Sequence, residues 1–206
     1  MANTEQVLVV PTHRLFLKRE SPLHGFSQGG VDELFRLVAE HGHFAPRDEA
    51  EEDPGLKQII PYGVLLFSRE VFLMKRTRKG GEARLHERVT LGVGGHVNPV
   101  DSMDGDLKNA IGKAFERELN EELVVETPFQ SEALGLLNDD SNSVGRVHLG
   151  VVYRIDLDAP RVRVKEAHSL RGSFVPVESL ESYTEHMETW SQLLQSAFWP
   201  RTLSTG

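Results

Sequence analysis

The alternation of apolar and polar positions divides residues 58–198 into short strands and two helices. The runs QIIPYGVLLFS and EVFLMKRT are rich in β-formers and are joined by a polar turn at Ser68 and Arg69, which predicts a β-hairpin. The run RVTLGVGGHV predicts a strand that ends in paired glycines, where the backbone can turn sharply or approach a ligand closely. Further strands are predicted at EALGLLN, RVHLGVVYRIDL and SFVPV.

Two helices are predicted in the same region. In DGDLKNAIGKAFERELNEEL, apolar residues recur three and four positions apart, and Asp104 or Asp106 can cap the first turn. A final helix is predicted from Ser182 to Phe198, where Ser182 and Glu185 match a capping box. The apolar face of this helix leaves two roles open, packing in the core and contact in a homodimer.

Residues 1–57 precede this pattern and are interpreted as an N-terminal extension. VLVVP predicts a strand and VDELFRLVAEHGHF an amphipathic helix, whereas KRESPLHGFSQGG between them predicts a polar loop. PRDEAEEDPG combines prolines, a glycine and many acids, which predicts a solvated linker. The expected organisation is an extension of a strand and a helix over residues 1–57, followed by one domain over residues 58–206.

The composition narrows the class of protein. The 206 residues, of which 39% are hydrophobic, suffice for one sizeable core. Because the chain has no long apolar run and no signal-peptide pattern, we expect a cytoplasmic protein with no membrane partner. The absence of cysteine excludes disulfides and thiolate chemistry. A net charge of −8 argues against binding a long nucleic acid, but it is compatible with a small anionic ligand held through a metal.

The first predicted helix carries acids where its apolar stripe should continue. With Glu118 as the reference, Glu121 and Glu122 fall on the same side of the helix as the apolar residues before them. Carboxylates in this position repel one another and lose hydration unless Arg117 or a metal ion lies among them. Three oxygen donors at i, i+3 and i+4 suit Mg²⁺ or Mn²⁺ together with substrate phosphates. The alternative is a solvated surface cluster in which Arg117 pairs with Glu121.

RELNEEL, following GVGGHV, resembles the box motif of the Nudix hydrolases, G-x5-E-x7-R-E-U-x-E-E-x-G-U, in which U is apolar. Arg117, Glu118, Glu121 and Glu122 match its second half. The first half departs from the pattern, because Asn109 replaces the first glutamate, which in the family pairs with the arginine.

Two further positions also depart from the family motif. Val124 replaces the last glycine of the motif, and Gly95 lies farther upstream of Arg117 than in the family, so NPVDSMDG looks like an insertion. The hypothesis from the sequence is that Asp104 or Asp106 replaces the missing glutamate as the partner of Arg117.

The resemblance implies an α+β fold, specifically an α/β/α sandwich with a mixed β-sheet. It implies hydrolysis of a nucleoside diphosphate linked to another moiety, with Mg²⁺ or Mn²⁺ as the cofactor. Glu118, Glu121, Glu122 and the backbone carbonyl of Gly95 are the implied metal ligands, and Arg117 orients them. The general base is either an acid of the box or a later acid such as Glu166.

Several polar residues near the box are candidates for substrate binding. His96 follows the paired glycines, and Arg76, Arg78 and Arg88 belong to a basic segment that could hold phosphates. The alternatives are a histidine that fills the end of a strand and a solvated hairpin loop. The expected ligand is a small-molecule nucleotide or another capped diphosphate. The rival function is a catalytically silent Nudix-like module that binds a nucleotide or a protein.

Overall fold

The computed structural model describes residues 4–16, 23–76, 88–103, 105–165 and 170–200. The helices in these ranges are Thr12–Leu15 (α1), Val31–His41 (α2), Arg47–Glu52 (α3), Leu107–Glu122 (α4), Ser143–Arg146 (α5) and Thr189–Phe198 (α6), with 3₁₀ helices at Pro99–Ser102 and Val177–His186. The strands are Gln6–Pro11 (β1), Gly25–Gln28 (β2), His43–Pro46 (β3), Leu56–Phe67 (β4), Glu70–Arg76 (β5), Val89–Thr90 (β6), Gly92–Gly94 (β7), Leu123–Val125 (β8), Phe129–Asn138 (β9), His148–Leu157 (β10), Val162–Val164 (β11) and Leu170–Pro176 (β12).

The chain groups into two compact units. One comprises Met1–Gly63, Gly94–Leu119 and Ala133–Tyr153, and the other comprises Val64–Val93, Asn120–Glu132 and Arg154–Gly206. Both units contain residues of the same five elements, namely β4, β7, β9, β10 and α4. The domain boundary predicted after residue 57 stays a prediction.

In the first unit, β1 lies between β3 and β4 and pairs antiparallel with both. Its residues Val7 to Val10 are fully buried, as a continuous apolar run predicts for a strand covered on both faces. Strands β2, β9, β10 and β4 are neighbours in that order, and β7 also pairs with β4. Helix α2 buries Leu34, Leu37 and Val38 on one face, as its amphipathic pattern predicts.

Two predictions for the N-terminal region are wrong. The segment interpreted as a solvated linker contains α3, in which Ala50 is buried with Val7, Val9 and Ala45. The charges of this segment form ion pairs that are compatible with a helix, because the Arg47 side chain donates to both Glu5 and Glu51 at 2.8 Å.

The other wrong prediction is the polar loop KRESPLHGFSQGG. Residues 25–28 of this segment form β2, which pairs antiparallel with β9. Residues 18–22 of the segment lie outside the described ranges.

In the second unit, β5 lies between β4 and β12, and β6 also pairs with β5. The predicted hairpin of β4 and β5 is confirmed, with the pairs Leu66 to Val71 and Phe67 to Glu70 flanking the turn. At the turn, Ser68 adopts a left-handed conformation with φ of 54°. Strands β8 and β11, which the sequence did not predict, form a separate two-stranded sheet.

The single C-terminal helix predicted from Ser182 to Phe198 is wrong in its first half. The chain forms a 3₁₀ helix up to His186, passes through Met187 in an extended conformation, and then forms α6. The Ser182 hydroxyl donates to the carbonyl of Ser179 and therefore does not cap a helix. Met187 is fully buried and bridges to Val89, which explains the break.

The protein therefore has an α+β fold in which helices accompany a mixed β-sheet, and the predicted fold class is confirmed. Within the described ranges, no helix combines the length and the apolar composition needed to cross a bilayer.

Close backbone packing between β7 and β4 leads to a first prediction. A Cβ atom at Gly94 would overlap the carbonyl oxygen of Pro61 and lie 3.2 Å from Cα of Tyr62. Gly94→Ala should therefore lower the free energy of unfolding by about 1–3 kcal/mol, measured by urea denaturation. The matched control is Gly112→Ala on α4, where a Cβ meets no atom within 4 Å. This change should stabilise the protein by about 0.5–1 kcal/mol. Equal effects of the two substitutions would contradict the packing argument.

Candidate active site

Helix α4 presents the acids of the candidate site, and its start is fixed by Asp106. The Asp106 carboxylate accepts hydrogen bonds from the backbone N–H groups of Lys108 at 2.9 Å and Asn109 at 3.3 Å, so the predicted cap is confirmed. Farther along the helix, Phe115 stacks on Tyr153 with ring centroids 4.2 Å apart. Burial of this apolar face fixes the rotation of α4 and therefore the direction of the acids that follow.

Arg117 on α4 is the centre of a hydrogen-bond network. Its Nε donates to Oδ1 of Asp101 and its Nη2 to Oδ2, both at 3.0 Å, which is a bidentate arrangement. Nη2 also donates to the carbonyl of His96 at 2.8 Å and to Oδ1 of Asn98 at 3.2 Å. Nη1 donates to Oε1 of Glu118 at 2.6 Å. The hydrogen bonds that Arg117 donates to Asp101 are the largest cause that raises the pKa of Arg117, and the arginine is therefore a permanent cation.

Asp101 supplies the bidentate carboxylate to Arg117, so the hypothesis is wrong for Asp106 and stays a prediction for Asp104. Asp106 instead accepts from the side chain of Asn109 at 2.9 Å, and Asp104 lies outside the described residues. Asp101 belongs to the 3₁₀ helix in the inserted segment, where its Oδ2 also accepts from the backbone N–H of Asn98 at 2.8 Å. Its side chain is only 4% exposed. The segment that the sequence analysis interpreted as an insertion therefore contains the carboxylate that binds Arg117.

Gly95 lies directly against Glu118. A Cβ atom at Gly95 would be 2.5 Å from Oε1 and 2.6 Å from Oε2 of Glu118, so no other residue fits without displacing the carboxylate. The Glu118 side chain is 15% exposed. Gly95 thus allows the backbone to approach the Glu118 carboxylate, whereas the predicted close approach to a ligand stays a prediction.

His96 and His148 form a half-buried pair with ring centroids 5.7 Å apart. Burial, the largest cause, and the nearby groups Arg47 and His148 together lower the pKa of His96 to about 4. Burial also lowers the pKa of His148, although the carbonyl of Val144, 2.7 Å from its Nδ1, opposes this effect. Both rings are therefore neutral at pH 7. His148 is a residue that the sequence did not select for the site.

The remaining candidates stay predictions. On α4, Glu121 is exposed and Glu122 is half-buried. Arg88 directly precedes β6, where its Nη1 donates to the carbonyl of Met187 at 3.3 Å. Arg76 is the last residue of β5, and both Arg78 and Glu166 lie outside the described residues.

The donor chemistry of the box suits a hard divalent cation. Glu118, Glu121 and Glu122 are presented on one helix at i, i+3 and i+4, and the backbone of Gly95 lies close to Glu118. In the part of the chain that the structure describes, no three carboxylate or imidazole side chains already converge as a metal site. The residue types fit Mg²⁺ or Mn²⁺, and their convergence belongs to the proposal below.

Comparisons with known proteins place this chain in a family. No family model matches the sequence. The chain is 36% identical over 197 residues to protein YmaB of Bacillus subtilis, a match that covers 92% of this chain and 95% of YmaB. The crystal structure of Tm1382, a protein assigned to the Nudix hydrolases, matches with a TM-score of 0.80 and 34% identity. This match covers 94% of this chain and 97% of Tm1382. The protein belongs to the Nudix hydrolase family, and the predicted family is confirmed.

The ion pair of Asp101 and Arg117 leads to a second prediction. Asp101→Asn preserves the volume of the side chain but leaves a half-buried guanidinium without its main counter-charge. The free energy of unfolding should fall by about 2–3 kcal/mol, measured by urea denaturation. The control is Asp106→Asn, which should change stability by less than about 0.5 kcal/mol, since asparagine also caps helices well. If Asp106→Asn were the more damaging change, the assignment of the Arg117 partner would be wrong.

The low pKa of His96 leads to a third prediction. The unfolded chain binds a proton at this histidine near pH 6.5, whereas the folded chain binds it only near pH 4. The contribution of His96 to stability is therefore complete above pH 6.5 and declines as the pH falls towards 4. His96→Gln should reduce the loss of unfolding free energy between pH 7 and pH 5. The exposed control His43→Gln should retain the wild-type pH dependence. The same dependence in both variants would contradict the burial of a neutral imidazole.

Proposed function

We propose that the protein is a metal-dependent hydrolase that cleaves the diphosphate linkage of a nucleoside diphosphate joined to another moiety. Membership of the Nudix hydrolase family supports hydrolysis of this general kind. The observation that carries the proposal is the position of Glu118, which is held by Arg117 on one side and lies against the backbone of Gly95 on the other. A carboxylate held in this way is preorganised for a ligand, because its rotamer is fixed before the ligand binds.

Mg²⁺ or Mn²⁺ would be held by Glu118, Glu121, Glu122 and the carbonyl oxygen of Gly95. When bound, the ions supply charge neutralisation at the phosphoryl oxygens and lower the pKa of a bound water. All four ligands are oxygen donors, which these cations prefer over nitrogen and sulfur.

The side chains of this protein would divide the remaining work. Arg117 is a permanent cation and cannot exchange a proton, so its role is to hold Glu118 in one orientation. Glu121 and Glu122 project from the last turn of α4, and either carboxylate can accept the proton of the attacking water. Glu166 is the third candidate for this base.

The substrate we propose is a small-molecule nucleotide or another capped diphosphate. Arg76, Arg78 and Arg88 are proposed to contact its phosphates, and His96 is proposed to contact the ligand beside the paired glycines. Because His96 is neutral, it would donate or accept a hydrogen bond and would not act as a counter-charge. A homodimer stays a prediction from the sequence.

The alternative, a catalytically silent Nudix-like binding module, rested on the degenerate first half of the box. Asn109 removes the glutamate that the family pairs with the arginine, but Asp101 supplies a bidentate carboxylate to Arg117. The geometry that the missing glutamate supports in the family therefore has a replacement in this chain. The main argument for a silent module is weakened accordingly.

A substrate panel leads to a fourth prediction. In the presence of Mg²⁺ or Mn²⁺, the purified protein should hydrolyse at least one compound of a panel. The panel contains nucleoside triphosphates, dinucleoside polyphosphates and nucleoside diphosphates with other caps. The products are measured by chromatography. Glu121→Gln and Glu122→Gln should each reduce kcat by at least about 100-fold with little loss of stability, since both acids serve chemistry and not packing. The control is Glu116→Gln, an exposed acid on the same helix, which should retain activity. Wild-type rates in all three variants would refute the assignment of the acids.

A further inference from the structure

The N-terminal segment reaches the box arginine through one side chain, Asn98. The Asn98 amide nitrogen donates to Oε1 of Glu5 at 3.0 Å and to the carbonyl of Gln6 at 2.9 Å. The Asn98 amide oxygen accepts from Nη2 of Arg117 at 3.2 Å. A single amide therefore connects the start of β1, more than ninety residues away in sequence, with the centre of the candidate site.

This amide has only one productive orientation. If its oxygen and nitrogen were exchanged, the oxygen would face the Glu5 carboxylate and the Gln6 carbonyl, and the NH₂ group would face the Arg117 guanidinium. Both contacts would then be repulsive, because acceptors would meet acceptors and donors would meet a donor. Glu5 and Arg117 thus fix the Asn98 side chain from opposite ends.

Glu5 is itself held in place by α3. The Arg47 guanidinium donates to Oε2 of Glu5 at 2.8 Å and to Oε1 of Glu51 at 2.8 Å. Burial raises the pKa of Glu5, but the hydrogen bonds from Arg47 and Asn98 outweigh this effect and lower it. Glu5 is therefore ionised at neutral pH and is a strong acceptor for Asn98.

The backbone follows the same path. The N–H of Leu8 in β1 donates to the carbonyl of Val97 at 2.8 Å, so the strand also holds the loop that carries Asn98. On the far side of Asn98, Arg117 donates to the carbonyl of His96 in the same loop and to Glu118. Hydrogen bonds therefore connect Glu5 through Asn98 and Arg117 to the Glu118 carboxylate.

We propose that Glu5 and Asn98 are positioning residues of the active site, through which the N-terminal segment orients Arg117 and hence the metal-binding carboxylate of Glu118. This inference rests on the proposed function, since it assigns the network to cation binding. Removal of a residue that orients a metal ligand through hydrogen bonds typically reduces metal affinity or activity by about 10–100-fold. The extension is then a part of the site and not an appendage.

The test is a fifth prediction and uses Mn²⁺ affinity, measured by the electron paramagnetic resonance signal of free Mn²⁺ in the absence of substrate. Glu5→Ala should weaken Mn²⁺ binding by about tenfold. Glu5→Gln should recover most of this loss, because its amide oxygen can still accept from Asn98. Asn98→Ala should weaken binding at least as much, and the double variant Glu5→Ala with Asn98→Ala should be no worse than Asn98→Ala alone, because both residues act along one path.

The matched control is Glu40→Ala, which removes another glutamate from an exposed arginine pair in the N-terminal segment. Glu40 accepts from Arg36 on α2 at 2.7 Å, with 46% of its side chain exposed, against 41% for Glu5. Both variants should lose similar thermal stability, but Glu40→Ala should leave Mn²⁺ affinity unchanged. If Glu5→Ala and Glu40→Ala had the same Mn²⁺ affinity, the inference would be overturned.

The design separates failure of this inference from failure of the proposed function. In one outcome, the wild type binds Mn²⁺, Glu5→Ala weakens this binding, and no compound of the panel is hydrolysed. The inference then holds and the proposed reaction fails. If the panel is hydrolysed and Glu5→Ala binds Mn²⁺ like the wild type, only the inference fails. If the wild type binds no Mn²⁺, the inference fails directly. Should Asn98→Ala not fold, Glu5→Ala and Glu5→Gln still decide the matter, since Glu5 lies at the surface.

Discussion

The bidentate ion pair between Arg117 and Asp101 is the interaction on which the candidate site depends. A guanidinium has a rigid, planar set of donors, so two bonds to Asp101 determine where its other donors point. Those donors reach the carbonyl of His96, the amide of Asn98 and the carboxylate of Glu118. The Arg117 guanidinium therefore fixes both the loop after the paired glycines and the Glu118 carboxylate.

The same ion pair explains how the site accommodates its unusual sequence. Loss of the glutamate that Asn109 replaces would leave a half-buried arginine with one counter-charge fewer, which is costly in a partly desolvated position. Residues Pro99–Ser102 form a short 3₁₀ helix that places Asp101 beside the arginine, and the Asp101 carboxylate also accepts from the backbone N–H of Asn98.

Sequence periodicity predicted the hairpin, β1, α2 and α4, because burial on one or both faces leaves a repeating signal. Periodicity failed where long-range contacts decide the conformation. The segment predicted to be a linker forms α3, which is highly charged but is held by Arg47 and the buried Ala50. The predicted C-terminal helix is interrupted at Met187, which is buried. In the site, the family motif brought Arg117, Glu118 and Gly95 together. Asp101 could have been found from the capping pattern of Asn98 and Asp101, whereas nothing local links Glu5 to residues far along the chain.

We propose that Glu118 and Gly95 form one side of a divalent cation site in which Arg117 orients Glu118. Anomalous diffraction from crystals soaked in Mn²⁺ would locate the cation directly. We expect a peak within ligand distance, about 2.0–2.4 Å, of a Glu118 carboxylate oxygen, with the carbonyl of Gly95 and at least one of Glu121 and Glu122 in the same coordination sphere. A Mn²⁺ peak bound only by other residues, with Glu118 still hydrogen-bonded to Arg117, would contradict this proposal.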